Sequence, residues 1–238
     1  MSRGSRLFGA ILLGCLSLLR VASFAETSTS GSPVEVDTLP AIAGHFESRI
    51  IPEGNTSQEQ TREWYLWRQP NQVETRETSG DTGQIWELSR NGQVSYLRIF
   101  HQEKRIIEYT SGDLRALQSY PGWLKLACLI DPILLKTQLQ LNGSVETLGR
   151  QAQRYQGRVD EVEFEVLWLE KERIPALVRQ MFANRQEIMQ LKEIHSLHES
   201  PWPRSQISEY IHIDYADLGD KEADPFIHSL QQGVEHAH

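Results

Sequence analysis

Imidazole is the commonest protein ligand for transition metals and the usual proton shuttle near neutral pH, so the eight histidines come first. His195 and His198 lie three apart in Glu193-Ile194-His195-Ser196-Leu197-His198-Glu199, and His228, His236 and His238 cluster near the C-terminus. A specific site needs fixed geometry, for instance two histidines four apart on a helix with a carboxylate. Here the first pair sits where a strand-like run enters Ser200-Pro201-Trp202-Pro203, and His236-Ala237-His238 is terminal. No ligand spacing results, so no metal site and no cofactor are expected. Two arrangements keep a weak metal or haem role in view as a third function. One is loose binding by the tail; the other is a strand pairing that sets His195 beside His212, with His228 completing three ligands.

Other reactive groups are equally unframed. Cys128 lies in Trp123-Leu124-Lys125-Leu126-Ala127-Cys128-Leu129-Ile130, an apolar setting that predicts a buried, inert thiol. No G-x-S-x-G elbow, phosphate-binding glycine loop or dinucleotide fingerprint occurs. Carboxylates abound, but at alternating positions such as Glu161, Glu163 and Glu165 they read as a solvated strand face. No catalytic residue is assigned and no enzyme activity is expected. The six tryptophans carry more information. Trp64, Trp67, Trp86, Trp123 and Trp168 all fall in predicted elements, where they either fill a β core or line a concave apolar pocket.

The elements that must position these residues are mainly strands. Candidates are 44–51, 62–69, 72–78, 84–89, 93–101 and 105–110, then 152–156, 161–169, 176–182, 187–195 and 206–214. Asn91-Gly92 predicts a two-residue type I′ hairpin. Between the two β regions, 112–119 reads as a short helix. Trp123–Ile130 reads as a buried helix or strand, and the apolar run from Ile133 is expected to stop at Asn142-Gly143. The clearest periodicity sets Val162, Phe164, Val166 and Trp168 against Glu161, Glu163 and Glu165, a sheet with one dry and one wet side. Ile207, Ile211 and Ile213 suggest the same for the last strand. Asp224, Pro225 and Gly233 predict a capped terminal helix with Phe226, Ile227 and Leu230 as its apolar stripe.

The N-terminus predicts export. Arg3 and Arg6 precede an apolar run from Leu7 to Leu19, and Ser23 and Ala25 place small residues before Glu26, so a signal peptide cut after Ala25 is expected. The run is shorter than the ~20 apolar residues a membrane crossing takes. Cleavage at Cys15 is the alternative, and it would leave an apolar segment on the mature chain. Removing 1–25 takes three arginines and no acid, leaving 21 basic against 32 acidic residues and a formal charge of −11. That excess argues against nucleic acid and against adhesion to anionic lipid. The expected division is a signal peptide at 1–25, a flexible leader at 26–40, a β domain at 41–218, and a C-terminal helix and tail at 219–238.

A family resemblance enters through the second β region. Leu148-Gly149-Arg150-Gln151-Ala152-Gln153-Arg154-Tyr155 leads to Glu165-Val166-Leu167-Trp168-Leu169, then to Arg173-Ile174-Pro175-Ala176-Leu177-Val178-Arg179. This resembles the periplasmic lipoprotein carrier and sensor group, the LolA-type chaperones, LolB-type receptors and RseB-type sensors. Trp67-Arg68-Gln69-Pro70-Asn71 resembles the strand-ending R-x-P-N of LolA-like proteins. The resemblance covers most of 44–214. It implies a mainly β (α+β) fold, a half-open antiparallel β-barrel whose concave apolar face is covered by a few helices. It also implies a monomeric periplasmic carrier or binding protein for a lipid, a lipoprotein acyl chain or another lipophilic ligand. The expected lining is Phe46, Trp64, Trp86, Tyr96, Val162, Phe164, Val166 and Trp168. The alternative on the same fold is a non-enzymatic module that binds an envelope protein through its acidic face and 214–238.

Overall fold

A computed structural model describes residues 39–54, 58–221 and 224–235. The expected signal peptide, its cut after Ala25, and the terminal His236 and His238 lie outside the described residues. Six strands come first: β1 (Ile42–Pro52), β2 (Gln60–Gln69), β3 (Gln72–Glu77), β4 (Thr82–Leu88), β5 (Val94–Phe100) and β6 (Arg105–Tyr109). Three six-residue helices follow: α1 (Ser111–Ala116), α2 (Trp123–Cys128) and α3 (Pro132–Thr137). Then come β7 (Gln140–Thr147), β8 (Arg150–Val159), β9 (Val162–Leu169), β10 (Ile174–Met181), β11 (Arg185–Ser196) and β12 (Ile211–Asp214). A 3-10 segment (Tyr215–Lys221) and α4 (Pro225–Glu235) end the described chain.

All twelve strands form one sheet, ordered β12-β6-β5-β4-β3-β2-β1-β11-β10-β9-β8-β7. Strands β12 and β7 are its two edges, so the sheet is half-open and not a closed barrel. Every pairing is antiparallel except β12 with β6, which is parallel because β12 is reached by a long crossing segment and not by a hairpin. Strand β1 pairs β2 on one side and β11 on the other, and so welds the two β regions together.

The strands follow the sequence closely, and the exceptions have local causes. The β4–β5 hairpin forms, but only Gly92 takes a positive φ (77°), with Ser89 N–H donating to Gln93 O. The loop is therefore longer than type I′, and Ser89 Oγ accepts from Gln93 N. The two-residue turn with both φ positive joins β7 to β8 at Leu148 (52°) and Gly149 (66°). The β structure resumes before Asn142-Gly143 and not after it, with β7 starting at Gln140. That pair lies inside β7, where Gly143 at φ 84° absorbs a register shift between Leu141 and Ser144. Gly233 does not end α4, which continues to Glu235. Trp123–Cys128 resolves as a helix, opened by Gly122 and closed by Leu129 in the left-handed region.

The outer face is not wholly wet. After β11 the chain runs from Leu197 to Tyr210 as a strap over it. Trp67 Nε1 donates to Ser200 Oγ and to Trp202 O, both at 3.2 Å, and Arg76 donates to Pro203 O at 2.9 Å. Arg204 pairs at 2.9 Å with Glu74, whose carboxylate also accepts from Ser205 N. Farther along, Ile207 and Tyr210 pack on Ile85, Ile99 and Ile106, a small second core. The expected strand at 206–214 shrinks to Ile211–Asp214 for this reason, since 206–210 belong to the strap. Ile211, expected on an apolar face, is 58 % exposed.

Candidate ligand-binding face

The candidate face is built by period-two alternation. On β1 and β2, Phe46 is the cross-strand partner of Trp64, and the rings stack at 4.6 Å and 14°. On β4 and β5, Trp86 opposes Tyr96 at 4.3 Å, and Tyr96 opposes Tyr109 of β6 at 5.2 Å. Tyr215 then stacks on Tyr109 at 4.7 Å, ending a ladder of four rings. In the second β region Phe164, Val166 and Trp168 of β9 are buried and Val162 is partly buried against them. Glu163 and Glu165 of the same strand turn outward, where Glu165 pairs with Arg154 and Arg179. All eight residues expected to line the ligand site thus belong to one apolar layer.

What covers that layer comes from two places. Helices α1 to α3 and the residues after them contribute Leu114, Trp123, Leu126, Leu134, Leu135 and Leu139. The tail contributes Leu218, Phe226 and Ile227, with Phe226 edge-on to Phe100. Its helix starts as the sequence predicts, Asp224 Oδ1 accepting from Phe226 N at 2.9 Å, and Asp224 also pairs with Arg105. Seven of the eight lining candidates are 0 to 6 % exposed under this cover.

One charged side chain ties cover to sheet. Arg68 of β2 has no exposed surface, and main-chain carbonyls hold its guanidinium. It donates to Pro40 O at 3.1 Å, Ala127 O at 2.8 Å, Arg173 O at 3.0 Å, and to Glu172 O. These belong to the entry to β1, the end of α2 and the β9–β10 turn. Burial lowers its pKa to about 10. The R-x-P-N resemblance marks this residue without giving it a role. A physical signal was also available, because an arginine inside an apolar strand must find acceptors.

The reactive groups stay apart. Strands β11 and β12 have six strands between them, so His195 does not pair with His212. His195 meets Glu193 at 2.6 Å, while His212 contacts Glu108. No group of three or more metal-ligating side chains occurs among the described residues. Cys128 is buried and unpaired, and burial pushes its thiol pKa up, away from nucleophilic use. Thr75 faces the same layer from β3, and sequence reasoning misses it because a lone threonine on a strand carries no motif. No helix among the described residues is long and apolar enough to cross a membrane.

No protein-family model matches the sequence, and no curated protein matches it. Several solved structures are similar over part of the chain, at low TM-score and low identity. PNGF-II aligns with TM-score 0.41 and 11 % identity over 76 % of this chain and 32 % of its own. The MucA/MucB complex from Pseudomonas aeruginosa gives 0.37 and 16 % over 68 % of this chain and 53 % of that one. A LolA superfamily protein from Nitrosomonas europaea gives 0.34 and 8 % over 70 % and 91 %. The chain therefore spans about a third of the PNGF-II chain and about half of the MucB chain.

Proposed function

We propose that the mature chain is a monomeric carrier or binding protein for a lipophilic ligand, a lipid or a lipoprotein acyl chain. It works without catalytic chemistry in the periplasm, after export and cleavage behind Ala25. The observation that supports this is a single apolar layer covered by elements that are not strands of the sheet. The cover is three six-residue helices and a tail, each too short to be stable away from its packing. It is held by apolar packing, by Arg68 on main-chain carbonyls and by the Arg105–Asp224 pair. Such a cover can lift without breaking a sheet ladder. The ligand's own apolar surface then takes the place of the cover against the sheet, at roughly 0.8 kcal/mol for each buried CH₂. The proposed lining is Phe46, Trp64, Trp86, Tyr96, Val162, Phe164, Val166 and Trp168, within a β domain over 41–218 that the 219–238 tail closes. Titrating the mature protein with the fluorescent apolar probe 1-N-phenylnaphthylamine tests it. Saturable binding at one site is expected; a flat titration removes the carrier function.

The near-complete burial of the lining candidates favours a second reading, a filled module that binds an envelope protein by its acidic surface. On that reading the probe does not bind, and cross-linking in intact cells captures a partner whose recovery falls as salt rises.

A further inference from the structure

Five tryptophans are buried, and four of their indole N–H groups have acceptors. Trp64 donates to Ser48 Oγ at 2.9 Å, Trp67 to Ser200 and Trp202, Trp123 to Pro70 O at 3.2 Å, and Trp168 to Glu170 at 2.8 Å. Trp86 is the exception. It is 4 % exposed, and its Nε1 has no partner among the described residues. Stacking does not serve the donor, because the N–H lies in the indole plane and Tyr96 lies across its face at 27°.

A second unpartnered group stands beside it. Thr75 is 1 % exposed and its Oγ1 is also without a partner among the described residues. The registers are Val73 to Trp86 and Thr75 to Gln84, so Thr75 and Trp86 are diagonal neighbours on one face of adjacent strands. Gln84 between them is buried as well. A buried donor without a partner costs about 1–3 kcal/mol, and two together in a packed apolar layer call for an explanation.

We infer that Trp86 Nε1–H and the Thr75 hydroxyl form the polar anchor of the ligand site, and that the ligand is an acyl compound held by its carbonyl oxygen. The inference rests on the carrier function and sharpens it from lipophilic in general to ester- or amide-linked acyl groups. Apolar contacts hold the chain, and the anchor fixes where the carbonyl end stops.

A matched pair of ligands tests it. 1-Monopalmitoylglycerol and 1-O-hexadecylglycerol share chain length and glycerol head, and only the ester has a carbonyl. Each is used to displace 1-N-phenylnaphthylamine from the mature protein. The ester should win by roughly tenfold, which converts to about 1.4 kcal/mol. Trp86→Phe, which keeps a ring against Tyr96, should abolish the ester-over-ether preference, whatever it does to the affinity both ligands share, and Thr75→Val should reduce it. Equal displacement of the wild type by both overturns the anchor and leaves the carrier function standing. So does a preference that survives Trp86→Phe, since the carbonyl is then held elsewhere. Failure of both to displace the probe removes the carrier function and the anchor with it. The indole ¹H–¹⁵N resonance of Trp86 gives a readout on the wild-type fold. It should move downfield with the ester and stay with the ether; no shift with either counts against the anchor.

Discussion

Arg68 shows what one buried cation can organise when main-chain carbonyls answer it. Its donors converge on carbonyls from three separate stretches of chain, so truncation orphans several acceptors at once. Arg68→Met should lower stability by on the order of 3 kcal/mol, read as a fall in the urea midpoint. Arg68→Lys should not restore it, because one ammonium cannot reproduce the planar fork. Tyr109 makes a second residue-scale case, with a pKa pushed up to about 12 by burial. For an acid whose folded pKa is raised, the unfolded state sheds its proton first. Stability is then intact below about pH 10 and falls as pH rises from there towards 12. At about pH 11 that loss is roughly 1 kcal/mol, and Tyr109→Phe should remove it from the pH dependence of the urea midpoint. A midpoint whose pH dependence is the same in both proteins would show that burial does not shift the ionisation of Tyr109. Legibility at this scale depended on chemistry. Cys128 was readable as inert from its neighbours alone, whereas Thr75 was not, since an unpartnered hydroxyl depends on what lies across the sheet.

Among the elements, the strap and the tail act in ways no pattern announces. Strand β9 was legible because its alternation is strict over Val162 to Trp168. The strap was not, because Trp202 sits between two prolines and no periodicity marks a segment that crosses strands instead of joining them. The pair Arg204–Glu74 pins it, and Glu74 is 1 % exposed. Arg204→Met leaves that buried carboxylate to the Ser205 N–H. The expected cost is about 2–4 kcal/mol, with faster chymotryptic cleavage near Trp202 and Tyr210. Unchanged cleavage would mean the strap is held by Trp67 and Ile207 alone. In the tail, Asp224→Ala removes both the helix cap and the Arg105 pair. It should speed amide exchange in α4 ahead of the sheet, while exchange in the central strands stays as in the wild type.

At the scale of the molecule, the two halves of the sheet share one apolar layer because β1 serves both, and the cover lies over that layer without joining the sheet. The period-two patterns and turn residues made the strands readable. How they are ordered was not readable, since β12 beside β6 and β11 beside β1 depend on long-range pairing. That ordering separates His195 from His212 and brings the rings of β4, β5 and β6 into one ladder. Whether this layer opens to take a lipophilic guest is met most directly by native mass spectrometry of the mature protein drawn gently from the periplasm. A carrier gives a population heavier than the bare chain by the mass of one acyl lipid, lost on extraction with organic solvent. A single bare mass from every preparation, with no lipid in the extract, would contradict it.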